Sequence, residues 1–204
     1  MSGKSKRLRL GVLVSGGGRT LENLVELSRD GRLPAEVALV ISNQQDAFAL
    51  ERARRHDIRA AWLKTSGREA RIYALLEELE IDLVLLAGYL VRLPVRPRWR
   101  GRIMNIHPAL LPAFGGRGFY GHHVHEAVLR AGVKVSGCTV HFVDDEYDHG
   151  PIILQRTVPV SFEDTPDELA ARVFEEERIA YPEAVRLFAE NRLEIEGGRV
   201  RIVP

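Results

Sequence analysis

The run Asp82-Leu-Val-Leu-Leu-Ala87 has no polar side chain after its first residue. A strand of this kind has no face to offer water, so it must be covered on both sides, the condition of a parallel sheet sandwiched between helices. The preceding chain agrees. Leu8–Val14 is an apolar run that stops at Ser15-Gly-Gly-Gly18, and Thr20–Arg29 follows with apolar residues at Leu21, Leu24, Val25 and Leu27, one buried stripe of a helix. Val37–Ile41 reads as a second strand, closed by Ser42-Asn43. Ala47–Arg55 reads as a helix, Ala60–Leu63 as a short strand and Glu69–Glu80 as a helix. Strands alternating with helices at this spacing predict an α/β protein: an open, mostly parallel sheet with right-handed crossovers and helices on both faces.

After Gly88 the pattern loosens. Pro94, Pro97 and the arginines around them bar a long regular element, and Arg102–Ile106 gives another short strand. Pro108–Gly121, with two prolines and four glycines, predicts a loop. His125–Arg130 reads as a helix, and Val135–Val143 and Pro151–Val160 as strands, which brings an antiparallel strand into the C-terminal half. Thr165–Ala189 is one long amphipathic helix with Asp167 and Glu168 in its first turn, where acids favour the dipole. Arg192–Ile202, split by Gly197-Gly198, reads as a C-terminal hairpin. No repeat or composition break marks a boundary, so one domain is expected over residues 1–204, with a disordered basic tip over 1–7 and halves at 8–100 and 101–204.

A formal net charge of +1 gives no global attraction to nucleic acid or to an anionic membrane. One cysteine, Cys138, precludes an intramolecular disulfide, which fits a reducing cytoplasm. No apolar run is long enough to span a bilayer, and the basic start lacks the apolar core of a signal peptide. A cytoplasmic protein with neither nucleic-acid nor membrane partners is the expectation.

Four motifs carry chemistry. Asn105 and His107 stand two residues apart, so on a strand both side chains leave one face, and Pro108 stops that strand. An amide and an imidazole delivered together suit a developing oxyanion, although both are also ordinary turn formers. The long irregular loop after them favours the functional reading. Asp144, Asp145, Glu146 and Asp148 place four acids in five positions without the spacing of a calcium loop. Asp148 falls just before Gly150-Pro151, where the chain turns back and an acid could be held near His107. The glycines of Ser15-Gly-Gly-Gly-Arg-Thr20 can hold an anion at a helix N-terminus, or make a tight turn with no ligand. A dinucleotide fingerprint fits poorly: its third glycine would fall at Leu21, and no acid closes strand two, so a single phosphate fits better. His122-His-Val-His125 invites a metal, yet His122 and His125 sharing a helix face leave such a site under-coordinated, and no metal is expected.

These residues, with Leu86-Ala-Gly88, Val140-His-Phe-Val-Asp-Asp-Glu-Tyr-Asp148, Gly150-Pro-Ile-Ile-Leu-Gln155 and Arg172-Val through Tyr181-Pro182, come in a known order. Over about residues 8 to 195 the chain resembles the folate-dependent glycinamide ribonucleotide formyltransferase family of purine biosynthesis. The resemblance implies a Rossmann-like formyltransferase fold, with residues 8–100 binding the nucleotide and 101–204 carrying catalysis and folate binding. It implies that Gly16, Gly17, Gly18, Arg19, Thr20 and Leu21 hold the substrate phosphate through backbone N–H groups. Asn105, His107 and Asp148 match the catalytic trio, and Glu177 the acid at the glycinamide end. Tyr89, Leu90, Val91, Arg92 and Leu93, with Asp144, Asp145 and Glu146, would line the pterin pocket, and His123, His125 and His141 would flank the site. The loop over 113–121 is longer than in some members, and Val91-Arg92, His149 and Phe174 differ from frequent family residues.

The implied reaction moves the formyl group of 10-formyltetrahydrofolate, a co-substrate, to the amine of glycinamide ribonucleotide, with no metal. Asp148 is expected to keep His107 protonated by stabilising its charged form. The expected assembly is a monomer or a homodimer. A formyltetrahydrofolate hydrolase would share the trio but add an N-terminal regulatory domain, for which a first strand at Leu8 leaves no room. A methionyl-tRNA formyltransferase would add a C-terminal RNA-binding domain. A non-catalytic nucleotide-binding module would use the glycine loop without the trio.

Overall fold

The structure is a computed structural model that describes residues 7–204. The expected tip over 1–7 therefore lies outside the described residues except for Arg7, whose guanidinium donates to the Ala35 carbonyl at 2.7 Å. Strands β1 (Leu8–Val14), β2 (Ala35–Ser42), β3 (Arg59–Trp62), β4 (Leu83–Leu86) and β5 (Ile103–His107) run parallel to one another. Strand β6 (Val135–Phe142) is antiparallel to β5, and β7 (Ile152–Pro159) is antiparallel to β6. They form one sheet in the order β3-β2-β1-β4-β5-β6-β7. A separate hairpin of β8 (Leu193–Glu196) and β9 (Arg199–Ile202) turns through Gly197 and Gly198, both at positive φ, as a two-residue hairpin loop requires.

The both-faces reading of the apolar run is visible in how β4 divides its side chains. Leu83 and Leu85 join a core with Leu21 and Leu24 of α1 (Arg19–Arg29), Leu50 of α2 (Phe48–Arg55), Val128 of α4 (His122–Ala131) and Val173 of α5 (Pro166–Ala189). Val84 and Leu86 join a second core with Ile72, Tyr73 and Leu76 of α3 (Arg68–Glu78) and with Trp99. Alternation along the strand thus feeds two layers. Among the described residues no helix is long and apolar enough to cross a membrane.

Two helix starts differ in how the sequence marks them. α5 opens on a capping box: the Thr165 hydroxyl accepts from the Glu168 N–H at 3.2 Å, and the Glu168 carboxylate accepts from the Thr165 N–H at 2.8 Å. α4 begins at His122, three residues before the expected start at His125. Its first turn carries three histidines and no acid, so the chain offers none of the usual N-terminal signals. Within α5, Pro182 lacks the N–H that would bond the Arg178 carbonyl one turn back. The Asn23 amide of α1 takes that place, donating to the Arg178 carbonyl at 3.0 Å. The next anchor is Tyr181, fully buried, whose hydroxyl lies 3.1 Å from the Leu86 carbonyl and 3.0 Å from the Met104 carbonyl. α5 is therefore tied directly to the last residue of β4 and to the start of β5.

Candidate active site

β2 lies to one side of β1 and β4 to the other, so the sheet reverses its winding between β1 and β4. In open α/β sheets a crevice forms there, at the carboxyl ends of the strands. A cavity of about 650 Å³ occupies that position. Its walls come from residues just past β1 (Gly16 to Thr20), past β4 (Ala87 to Leu90) and at the end of β5 (Asn105 to Pro108). The loop from Gly116 to Gly121, His122 and His125 of α4, Tyr147, Asp148, and Ala170, Phe174 and Glu177 of α5 close it.

At one end lies the glycine turn. Gly18 has φ +74, and a Cβ there would come within 2.6 Å of the Ala49 Cβ, so only glycine brings α2 this close. The backbone N–H groups of residues 16–21 have no hydrogen-bond partner among the described residues. Leu21 itself is fully buried in the core, so only its backbone belongs to the turn. Ser15 fastens the turn to its neighbours: its hydroxyl donates to Asn43 Oδ1 at 2.6 Å and accepts from the Leu90 N–H at 2.9 Å. Ser42-Asn43 is thereby explained as a brace across the strand ends. The Arg19 guanidinium stacks on the Phe174 ring, 4.2 Å from its centroid. Glu177 lines the cavity and is part-buried. Burial pushes its carboxyl up to about 7 against the pull of Arg19.

At the other end the three expected polar residues meet. Asn105 and His141 are directly paired across β5 and β6, and Asn105 Nδ2 lies 3.1 Å from His141 Nε2. His141 Nδ1 donates to the Phe142 carbonyl at 2.8 Å, which orients the ring with Nε2 toward Asn105 and Asp148. The same Asn105 nitrogen donates to Asp148 Oδ1 at 3.2 Å. His107, 3% exposed, donates from Nε2 to the Phe114 carbonyl at 2.8 Å and turns Nδ1 toward Asp148 Oδ2 at 3.5 Å. Asp148 Oδ2 also accepts from the Gly116 N–H at 3.0 Å. The loop carrying Asp148 is closed by the Phe142 N–H donating to the Pro151 carbonyl at 2.9 Å. Gly150 permits that closure, since a Cβ there would stand 2.0 Å from the Phe142 carbonyl oxygen.

Two opposing effects act on His107. Burial pushes its imidazole down, while the Asp148 carboxylate and the Phe114 carbonyl push it up, and the ring is left below its ordinary value. The Asp148 carboxyl is itself held below its usual value: burial pushes it up, but the His141 and His107 imidazoles and the Gly116 N–H outweigh that.

The other expected site residues divide. Tyr89, Val91, Arg92, Leu93, Asp144 and Glu146 surround a cleft of about 60 Å³, which shares Asn105 and Asp148 with the large cavity. Leu90 lines the large cavity and is 51% exposed. Asp145 lines neither; its carboxylate accepts from the Val95 N–H at 3.3 Å. His149 donates from Nδ1 to Asp144 at 2.7 Å, and that bond raises its pKa. His125 lines the cavity, with Nδ1 buried and unpartnered, and burial, with His122 and His107 nearby, pushes it down to about 4. His123 stands apart, exposed beside Glu126 at 3.6 Å, and the helix face that His125 shares belongs to His122. Among the described residues no group of side chains is arranged to hold a metal. Phe119, Tyr120, Tyr147 and Arg117 also line the cavity; the sequence marked the segments that carry them but not these side chains.

Residues 8–185 match the formyl transferase family. A chloroplastic phosphoribosylglycinamide formyltransferase of Vigna unguiculata is 41% identical over 92% of this chain, and the chain spans 63% of that relative's length. The phosphoribosylglycinamide formyltransferase of Haemophilus influenzae is 37% identical, over 92% of this chain and 90% of its own length. The crystal structure of glycinamide ribonucleotide transformylase 1 from Symbiobacterium toebii superposes with a TM-score of 0.90 at 45% identity, covering 100% of this chain and 96% of that one.

Proposed function

The chain belongs to the formyl transferase family, and from that premise we propose that it transfers the formyl group of 10-formyltetrahydrofolate to the amine of glycinamide ribonucleotide. The observation that carries this reading is the layout of one cavity: unpartnered backbone N–H groups at one end, Asn105, His107 and Asp148 at the other, and Glu177 on its wall. A phosphate at a helix N-terminus needs the first group. An acyl transfer needs the second.

The amine attacks the formyl carbon in its neutral form. A new carbon–nitrogen bond forms and the formyl oxygen becomes an oxyanion. Collapse breaks the bond to the folate nitrogen, which receives the proton that the amine gives up. Asp148, ionised and 3.5 Å from His107 Nδ1, accepts that proton directly or through the ring. Asn105 and His107 supply the oxyanion donors. In the unliganded arrangement the Asn105 amide hydrogens face Asp148 and His141, and the His107 Nε2–H faces Phe114. Substrate binding must trade one of these bonds for the oxyanion. Phe114, held at φ +54 in the glycine-rich loop, is the partner placed to let go. Glu177 receives the glycinamide end, and the Tyr89–Leu93 and 144–148 segments receive the pterin beside Asn105 and Asp148.

The test follows loss of formyl-folate with and without glycinamide ribonucleotide and weighs the product. Formyl loss that depends on the amine, with one formyl group added to it, is expected. Equal loss without the amine would make the protein a hydrolase.

A further inference from the structure

The glycine turn is held from behind, outside the cavity. The Gly16 carbonyl accepts from the Ala49 N–H at 3.2 Å, the Gly17 carbonyl from Arg52 Nε at 2.9 Å, and the Gly18 carbonyl from the Glu22 N–H at 3.0 Å. In a trans peptide the carbonyl of one residue and the N–H of the next point in opposite directions. Three carbonyls drawn back onto α1 and α2 therefore turn the N–H groups of Gly17, Gly18 and Arg19 the other way. Two of the three holds are backbone groups at helix starts. The middle one, which sets the Gly17–Gly18 peptide, depends on a single side chain.

That side chain is itself fixed. Arg52 Nη1 donates to Glu22 Oε2 at 2.6 Å, while Glu22 Oε1 meets His56 Nε2 at 2.7 Å and His56 Nδ1 meets Arg29 Nη1 at 2.8 Å. Arg52 is absent from the cavity wall and does not reach a ligand there. We propose that Arg52, aimed by Glu22, is a positioning residue for the phosphate of the substrate: it holds the Gly17 carbonyl away from the anion and keeps the Gly18 N–H turned toward it. Loss of this hold leaves the peptide free to flip and to present a carbonyl oxygen to a phosphate. The proposal rests on the glycine turn being the phosphate end of the proposed reaction.

Arg52→Met keeps an unbranched stem that reaches about as far as Nε and removes every donor. The affinity for inorganic phosphate, measured by calorimetry, is expected to fall about tenfold, the size of one lost hydrogen bond to a charged group. In turnover the KM for glycinamide ribonucleotide should rise by a like factor, with kcat and the KM for formyl-folate held. With the dephosphorylated nucleoside as acceptor, wild type and variant should be equal. Glu22→Ala, which leaves Arg52 present but unaimed, should give a smaller loss of the same phosphate-selective kind, and it decides the matter alone if Arg52→Met does not fold. Wild-type phosphate affinity in both folded variants, or an equal penalty on the dephosphorylated acceptor, would overturn the proposal. Phosphate binding is read without turnover. A protein whose phosphate affinity depends on Arg52 but which does not formylate the amine would overturn the reaction and leave this inference standing.

Discussion

Burial pushes the Glu177 carboxyl from an ordinary value of 4.5 up to about 7, so its charge changes within the neutral range. The folded protein then holds a proton that the unfolded chain has released between those two values. Stability present below the lower value is lost as pH rises through the upper one. Glu177→Gln does not titrate. Its melting temperature should match wild type near pH 5 and exceed it near pH 8, at the cost of affinity for the ribonucleotide. A gap that stays constant across this range would show that Glu177 is not the titrating group. His125, pushed down to about 4, has the opposite sign. Its neutral form contributes stability above the ordinary histidine value that is lost as pH falls toward 4. The cavity thus holds an acid and a base that burial has moved toward each other's range, a pattern common where groups exchange protons.

At the scale of elements, α5 carries more of the site than its length alone conveys. It contributes Phe174 and Glu177 to the cavity, and Tyr181 pins it to the carbonyls of Leu86 and Met104. Pro182 would leave the Arg178 carbonyl open, and Asn23 closes it from α1. Asn23→Leu, close in size but unable to donate, should lower unfolding free energy in urea by about 1–2 kcal/mol, the cost of an orphaned carbonyl. A variant as stable as wild type would mean that water or a bend in the helix serves that carbonyl instead. The helix could be read from the sequence because its apolar stripe and the acids of its first turn are local. The start of α4 could not, because Gly121 ends the loop and three histidines follow without an acid. The Asn23–Arg178 contact joins residues 155 positions apart and leaves no local trace.

Across the whole molecule, the strand order places the ends of β1, β4 and β5 side by side, and the glycine turn and the Asn105–His107 pair sit on two of those ends. Periodicity and turn residues made the strands legible, and the ends of strands made those two motifs legible. What stayed hidden depends on register and on distant loops. The pairing of Asn105 with His141 follows from how β5 meets β6. Arg117 and Tyr147 reach the cavity from irregular segments. The direction of the His107 shift follows from burial, which composition does not reveal. In the proposed reaction the Asn105, His107 and Asp148 cluster serves the transfer step and leaves nucleotide holding to the glycine turn. Single-turnover formyl transfer by Asp148→Asn, set beside its affinity for glycinamide ribonucleotide, separates the two roles. The rate within the bound complex should fall by roughly 10²–10⁴, the usual worth of a positioned acid–base group, with affinity within a few-fold of wild type. A collapse of affinity with the rate of the bound complex preserved would contradict it.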